Sequence, residues 1–339
     1  MTETEPMPDS RREYGVLLPH FGSHGQRSAI LEGSRRAEDL GFDAIWVRDH
    51  VVFRPHHHEG QDRTFIDPLV VLSAAAAVTE TIKLATGCLI VHRHPVHTAL
   101  LMGSLARIAG SDRIIMGFGL GSFDHEFDAV GMGGWDRRVV IEEQVEILRK
   151  LWTGDTVSHD GEYYQFQDVD IHPTPYGGDL PIWYSGTSVA SIRRAVEYCD
   201  GWIPGRMPRR DYRKRLDRMA EMAAAAGKPT PSAGVIPYTS PGKTLEEAQR
   251  AFDLDGLLEE ARRRYTLENG GEISRIEHLD GAIIAGPPDH IAGEVRAYED
   301  AGCRHFVFDL RLRFDDWLEA LAMVGEEVLP LLRGSRDSP

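Results

Sequence analysis

Arg48-Asp49-His50 stands directly after Phe42–Val47 (FDAIWV), an apolar run that reads as a strand. A carboxylate beside an imidazole at a strand end can orient the ring and raise its basicity, as moving a proton requires. The plainer alternative is an Asp that caps the next turn beside a solvent-facing His. A second candidate is Ser185-Gly186-Thr187-Ser188, which follows the apolar Leu180–Tyr184 and opens a helical stretch. Glycine lets the backbone approach a ligand, and free N–H groups and hydroxyls at a helix N-terminus attract an anion. Ordinary capping by Ser or Thr is the competing account. Gly117-Phe118-Gly119-Leu120-Gly121 lacks the helix-opening Gly and later acidic residue of a dinucleotide fingerprint. Glycines such as Gly119 at a strand end instead leave room for a flat ring against the backbone.

Histidines form a third group. His92, His94 and His97 are close in sequence, and His56, His57 and His58 are consecutive. Such clusters can bind zinc, which would suit a metal-dependent hydrolase using His92 and His94. Pro95 interrupts the first set, however, and a His-lined cofactor pocket or a solvated loop accounts for it better, so no metal is expected. Gly-x-Ser-x-Gly, Walker and kinase signatures are absent. Cys88, Cys199 and Cys303 are odd in number and widely spaced, which fits free thiols in a reducing cytosol.

The net charge of −15 disfavours nucleic acid and an anionic membrane surface as partners, because both are gripped by Lys and Arg. No run of about 18 apolar residues predicts a membrane span. A small-molecule substrate is the expectation.

The elements that must position these residues alternate. Tyr14–Pro19, Phe42–Val47, Ile82–Thr86, Arg113–Phe118, Leu180–Tyr184, Gly201–Ile203, Ala233–Tyr238, Gly281–Ala285 and Arg304–Leu310 read as strands, with helices after most of them. The strand runs are continuous and apolar, as parallel strands buried on both faces require. These nine runs, about the eight of a closed ring and with a helix after most of them, favour a closed (β/α)8 barrel of the TIM type over an open sheet. We expect a mobile tail over 1–12, a single barrel domain over 13–333, an inserted helical segment around 238–280, and a hairpin at Asp160–Gln167. In such a barrel the site lies where strands end. That adds His20, Gly87, Cys88, His92, Ser122, His125, Asp309 and Arg311 to the residues above.

The order of these motifs resembles the luciferase-like monooxygenase superfamily. The stretches concerned are LPHFG (Leu18–Gly22), AEDLGFDAIWVRDH (Ala37–His50), Asp67–Pro95, DRIIMGFGLG (Asp112–Gly121), EILRKLWTG (Glu146–Gly154), Pro181–Trp202 and Ala285–Phe308. The resemblance implies a (β/α)8 barrel, commonly a homodimer, with coenzyme F420 or reduced FMN as redox partner. Asp49 and His50 fall on the Asp-His pair of the F420-dependent branch, and Gly87-Cys88 on a non-proline cis peptide behind the ring. Gly186, Thr187 and Ser188 fall on the phosphate site, and His20, Gly119 and Ser185 join the cofactor pocket. A Glu that sugar-phosphate dehydrogenases of that branch carry after the fourth strand is replaced by Ser122, which speaks against sugar-phosphate oxidation and leaves His92, Ser122 and His125 as substrate contacts. Two readings follow. One is an F420-dependent hydride transfer with His50 as proton donor or acceptor. The other is a reduced-FMN two-component monooxygenase. In either, a flavin or F420 reductase is the source of reduced cofactor. A non-catalytic cofactor carrier is a further possibility.

Overall fold

The computed structural model describes residues 11–56, 59–265 and 271–334. Eight parallel strands close on themselves: β1 Glu13–Leu17, β2 Ala44–Val47, β3 Lys83–Thr86, β4 Ile114–Gly119, β5 Ile182–Ser185, β6 Gly201–Trp202, β7 Ser232–Val235 and β8 His305–Phe308. The ring shuts through Gly234↔His305 between β7 and β8 and Gly15↔Val307 between β1 and β8. Helices such as Arg27–Asp39, Pro95–Ala109 and Arg137–Trp152 lie between consecutive strands and bury one face against them. The expected (β/α)8 barrel is therefore the fold.

One strand lies elsewhere than the sequence suggests. Ile283–Gly286 does not join the barrel but pairs in parallel with Tyr238–Pro241. The reason is closure: once β7 meets β8 the barrel has no free edge, so an apolar strand inserted between them needs another partner. The excursion also contains helices Leu245–Arg250 and Leu254–Arg264, a helical turn at Ile276–Leu279, and its own core around Leu257, Leu258, Ile273 and Ile283. The hairpin is longer than expected, with strands Val157–Asp160 and Gln165–Val169. Met1–Ser10 lie outside the described residues, while Arg11 and Arg12 pair with Asp43 and Glu299.

The barrel interior has a polar plug. Trp46 donates its indole N–H to His305 Nε2 at 2.9 Å, so the other ring nitrogen carries the proton and donates to Glu13 at 2.8 Å. Lys83 closes the set on Glu13. Trp183 packs against both Trp46 and His305. Close packing also explains the glycines of β4. A Cβ on Gly117 would lie 1.9 Å from the Thr86 carbonyl oxygen, a backbone atom that cannot move aside.

Two outcomes are expected. Burial works against the charge of Glu13, but His305 and Lys83 outweigh it and hold the carboxyl at about 2. A depressed carboxyl contributes stability above its ordinary value of about 4.5 that is lost as pH falls towards 2. Glu13→Gln should therefore flatten the fall in stability across that window, by on the order of 2 kcal/mol in acid-denaturation curves. Gly117→Ala should cost about 3 kcal/mol in urea unfolding. Gly293→Ala, on an open face of helix Pro288–Asp300, should be neutral or stabilising by up to ~1 kcal/mol.

Candidate active site

A cavity of about 570 Å³ opens at the C-terminal ends of the strands. Asp49, His50, Gly87, Cys88, Gly119, Ser122, Ser185, Gly186, Thr187 and Ser188 all line it, as does His56. Strands β2 to β5 thus deliver most of the residues singled out by sequence to one wall. His20, His92 and His125 do not line it.

The chemistry of that wall centres on His50. Its Nδ1 lies 3.2 Å from both carboxylate oxygens of Glu126, and its Nε2 is 3.1 Å from an Arg48 terminal nitrogen. A guanidinium only donates, so Nε2 accepts and Nδ1–H donates to Glu126. The lone pair of Nε2 is therefore taken by the Arg48 N–H, and the ring as a whole lines the cavity. Glu126 also accepts the backbone N–H of Val51 and Val52, at 2.9 and 3.1 Å. Burial opposes its charge, yet His50 and these N–H groups hold it below the usual carboxylate range.

This corrects the expected role of Asp49. Its carboxylate accepts from Ile90 N–H at 3.0 Å and from two nitrogens of Arg93 at 2.8 and 2.6 Å. Asp49 does not touch His50. It binds the end of β2 to the segment after β3, whereas the partner of His50 comes from the short helix Asp124–Ala129 after β4. Sequence reading went as far as Ser122 and His125 and passed over Glu126, the next residue. Its signal was an acidic residue following a strand end within one loop.

His20 is likewise a support. It is fully buried, accepts from Arg48 N–H at 2.9 Å and lies 3.1 Å from the Ile66 carbonyl. Burial pushes its pKa down to about 3, so it is neutral. His125 binds the Val52 carbonyl at 2.9 Å. His92 sits behind the wall with its ring 5.9 Å from Phe127, and its buried Nε2 has no hydrogen-bond partner among the described residues. His57 and His58 lie outside the described residues.

The floor and the two ends differ in character. Gly87-Cys88 is a non-proline cis peptide, after which Leu89–Ile90 resumes pairing with Phe118 and Gly119. Burial pushes the Cys88 thiol up to about 12, so it stays protonated and is no nucleophile. A Cβ on Gly119 would meet the Cys88 sulfur at 2.5 Å. One end is formed by Gly186, Thr187 and Ser188, where helix Val189–Tyr198 begins and its first N–H groups lack intrahelical acceptors. Buried Arg194 joins them. Among the described residues its Nε makes no hydrogen bond, with Glu142 3.6 Å away. At the other end Arg48 and Arg311 share the carboxylate of Glu59 at 2.8 and 2.7 Å, and Arg311 also holds Asp309. Tyr238 lies between the guanidiniums of Arg206 and Arg311, at 4.1 and 4.7 Å from its ring centre. The arrangement offers an imidazole held between a carboxylate and a guanidinium, a backbone floor, an end with free helix N–H groups, and a far wall of arginine and tyrosine.

Glu126→Gln should remove the charge on His50 Nδ1 and loosen Val51 and Val52 together. We expect a loss of about 2 kcal/mol in folding stability. Hydrogen exchange should show faster exchange at those two amides while the β1 and β8 amides stay protected.

Comparison with known proteins agrees with this geometry. The chain is 30% identical over 290 residues to an F420-dependent glucose-6-phosphate dehydrogenase of Nocardia farcinica, covering 80% of this chain and 84% of that protein. Its fold matches the coenzyme F420-dependent tetrahydromethanopterin reductase of Methanopyrus kandleri with a TM-score of 0.74 at 22% identity, over 96% of this chain and 100% of the other. It also matches the oxygenating constituent of 3,6-diketocamphane monooxygenase of Pseudomonas putida, solved with FMN, with a TM-score of 0.77 at 21% identity over 94% and 98% of the two chains. The family described as luciferase-like monooxygenase matches residues 13–305. With that span, the closed barrel and the strand-end cavity together, this chain belongs to the luciferase-like monooxygenase family and is an oxidoreductase.

Proposed function

We propose that the chain is a coenzyme F420-dependent oxidoreductase that transfers a hydride between the deazaflavin and a small organic substrate. The observation that carries this reading is His50, which lines the cavity and is held by Glu126 on one ring nitrogen and by Arg48 on the other. A hydride leaving or reaching an alcohol carbon must be matched by a proton at its oxygen. His50 Nε2 would take or return it once the Arg48 N–H leaves its lone pair, and Glu126 would stabilise the imidazolium formed. Deazaflavin supplies a carbon centre that exchanges hydride in two-electron steps.

The residues fit such a cofactor. Gly119 and Gly186 leave bare backbone, since a Cβ on Gly186 would lie 2.8 Å from Ser191 Oγ. Gly186, Thr187, Ser188 and Arg194 would hold a phosphate at a helix N-terminus. Gly87 and Cys88 would back the ring. The similarity to F420-dependent relatives supports the deazaflavin over FMN. We further propose a homodimer. Exposed Val70, Leu101 and Ile108 on the packed helices Pro68–Ala76 and Pro95–Ala109 form an apolar face that a second copy could cover.

Titration of the purified protein with oxidised F420, and with FMN in both redox states, tests the cofactor. Saturable F420 binding with none for FMN is expected. Preference for reduced FMN would instead indicate an oxygenase. Once a substrate is found, His50→Gln should lower kcat by about 10² to 10⁴ while F420 affinity changes less than about threefold.

A further inference from the structure

His50 is not free to act as a base while Arg48 occupies it. Its Nε2 is 3.1 Å from Arg48 Nη2, and its Nδ1–H is directed at Glu126. Arg48 is itself anchored: Nη1 donates to the buried carboxylate of Glu59 at 2.8 Å, and the guanidinium lies 4.9 Å from the centre of the Phe21 ring. A terminal guanidinium nitrogen carries two N–H groups. One on Arg48 Nη2 is spent on His50, and the other has no acceptor among the described residues. Both side chains line the cavity, and so do Arg194, Arg206, Arg264 and Arg311. These five arginines meet three carboxylates on the cavity wall, Asp49, Glu126 and Asp309. Arg194 stands at the end assigned to the cofactor phosphate, which leaves four on the other side. In a chain of net charge −15, such an excess of cations points to a second anionic occupant.

We propose that the substrate is a 2-hydroxy acid, whose carboxylate draws Arg48 off His50 and whose hydroxyl takes the vacated place on Nε2. The inference rests on the F420 reading and adds the substrate class to it. A guanidinium N–H and an imidazole lone pair stand side by side, and a carboxylate and a hydroxyl on adjacent carbons complement them. A hydrogen bond from a guanidinium to a carboxylate is roughly twice as strong as one between neutral groups, so the exchange favours an acid. A neutral alcohol would have to displace Arg48 from His50 and leave it unpartnered on that side, where its side chain is only 14% exposed. Glu59 keeps Nη1, so the guanidinium need only pivot about that bond. The reaction balances. The C2–H bond breaks and its electron pair passes as hydride to the oxidised deazaflavin. The O–H bond breaks and its proton passes to His50 Nε2. A C=O bond forms, leaving a 2-oxo acid and reduced coenzyme. His50 is thus freed as a base only when the acid is in place.

Reduction of oxidised F420 by the full-length protein, followed by deazaflavin absorbance, tests the selectivity. The probes are lactate and mandelate, each beside its neutral amide, with 3-hydroxybutyrate as the acid displaced by one carbon. A 2-hydroxy acid should exceed its amide and 3-hydroxybutyrate in kcat/KM by about 10² or more. Arg48→Met should lower kcat/KM for the acid by about 10² and raise it for the amide, because Nε2 is then free. Arg48→Lys should recover part of the rate with the acid. A second measurement needs no cofactor. In protein isotopically labelled at histidine nitrogen, the Nε2 signal that His50→Gln removes should shift on adding pyruvate or phenylglyoxylate and stay in place with acetone. A His50 signal unmoved by both oxo acids overturns the site. So does turnover of the amides at the rate of the acids, or a loss in Arg48→Met that is equal for acid and amide, which would mean that the residue only frames the loop. If F420 does not bind, the F420 reading falls, and the His50 signal alone decides whether the acid site stands.

Discussion

A guanidinium taken out of water must find a carboxylate, and this requirement organises the mouth of the barrel. Arg93 is held by Asp49 and Asp67, Arg48 and Arg311 by Glu59, Arg311 also by Asp309, and Arg206 by Glu260. In nearly every case the partners come from different strand ends or from a loop and a strand. The ion pairs therefore act less as a source of stability than as a set of distances. They fix where the loop after β2, the segment after β3 and the chain after β8 stand relative to one another. His50 inherits its position from this frame, through Arg48 on one side and Glu126 on the other.

The cavity that results is divided by chemistry. The half built by β2 to β5 presents His50 with Glu126, a backbone floor and the start of a helix. The half built by the chain after β6, β7 and β8 presents Arg206, Tyr238 and Arg311. The two halves share no residue, so the shape and charge of one can change without the other.

The barrel was legible in the sequence because parallel strands buried on both faces must be continuous and apolar, and eight of them alternate with helices. The residues around β2 to β5 were legible for a related reason: they follow strand ends directly, where the fold exposes them. Glu126 was harder to see, because it reaches His50 from a different loop across 76 positions of sequence. Asp49 was misjudged because adjacency in sequence suggested contact with His50, while successive residues leaving a strand point in opposite directions. Likewise the run Ile283–Gly286 has the composition of a barrel strand, and only closure of the ring between β7 and β8 excludes it. Sequence carries the local preference of a segment but not the occupancy of its neighbours.

The excursion between β7 and β8 has a core and a strand pair of its own. It touches the cavity through few groups, Tyr238 at its first strand and Arg264 at the end of a helix. It is in effect a removable cassette, anchored at two adjacent points of a ring that is already closed without it. A change confined to this cassette alters the far wall at Tyr238 and Arg264 and leaves the wall that carries His50 and Glu126 as it is. Diversification of substrate would then proceed by swapping a module rather than by rebuilding an active site.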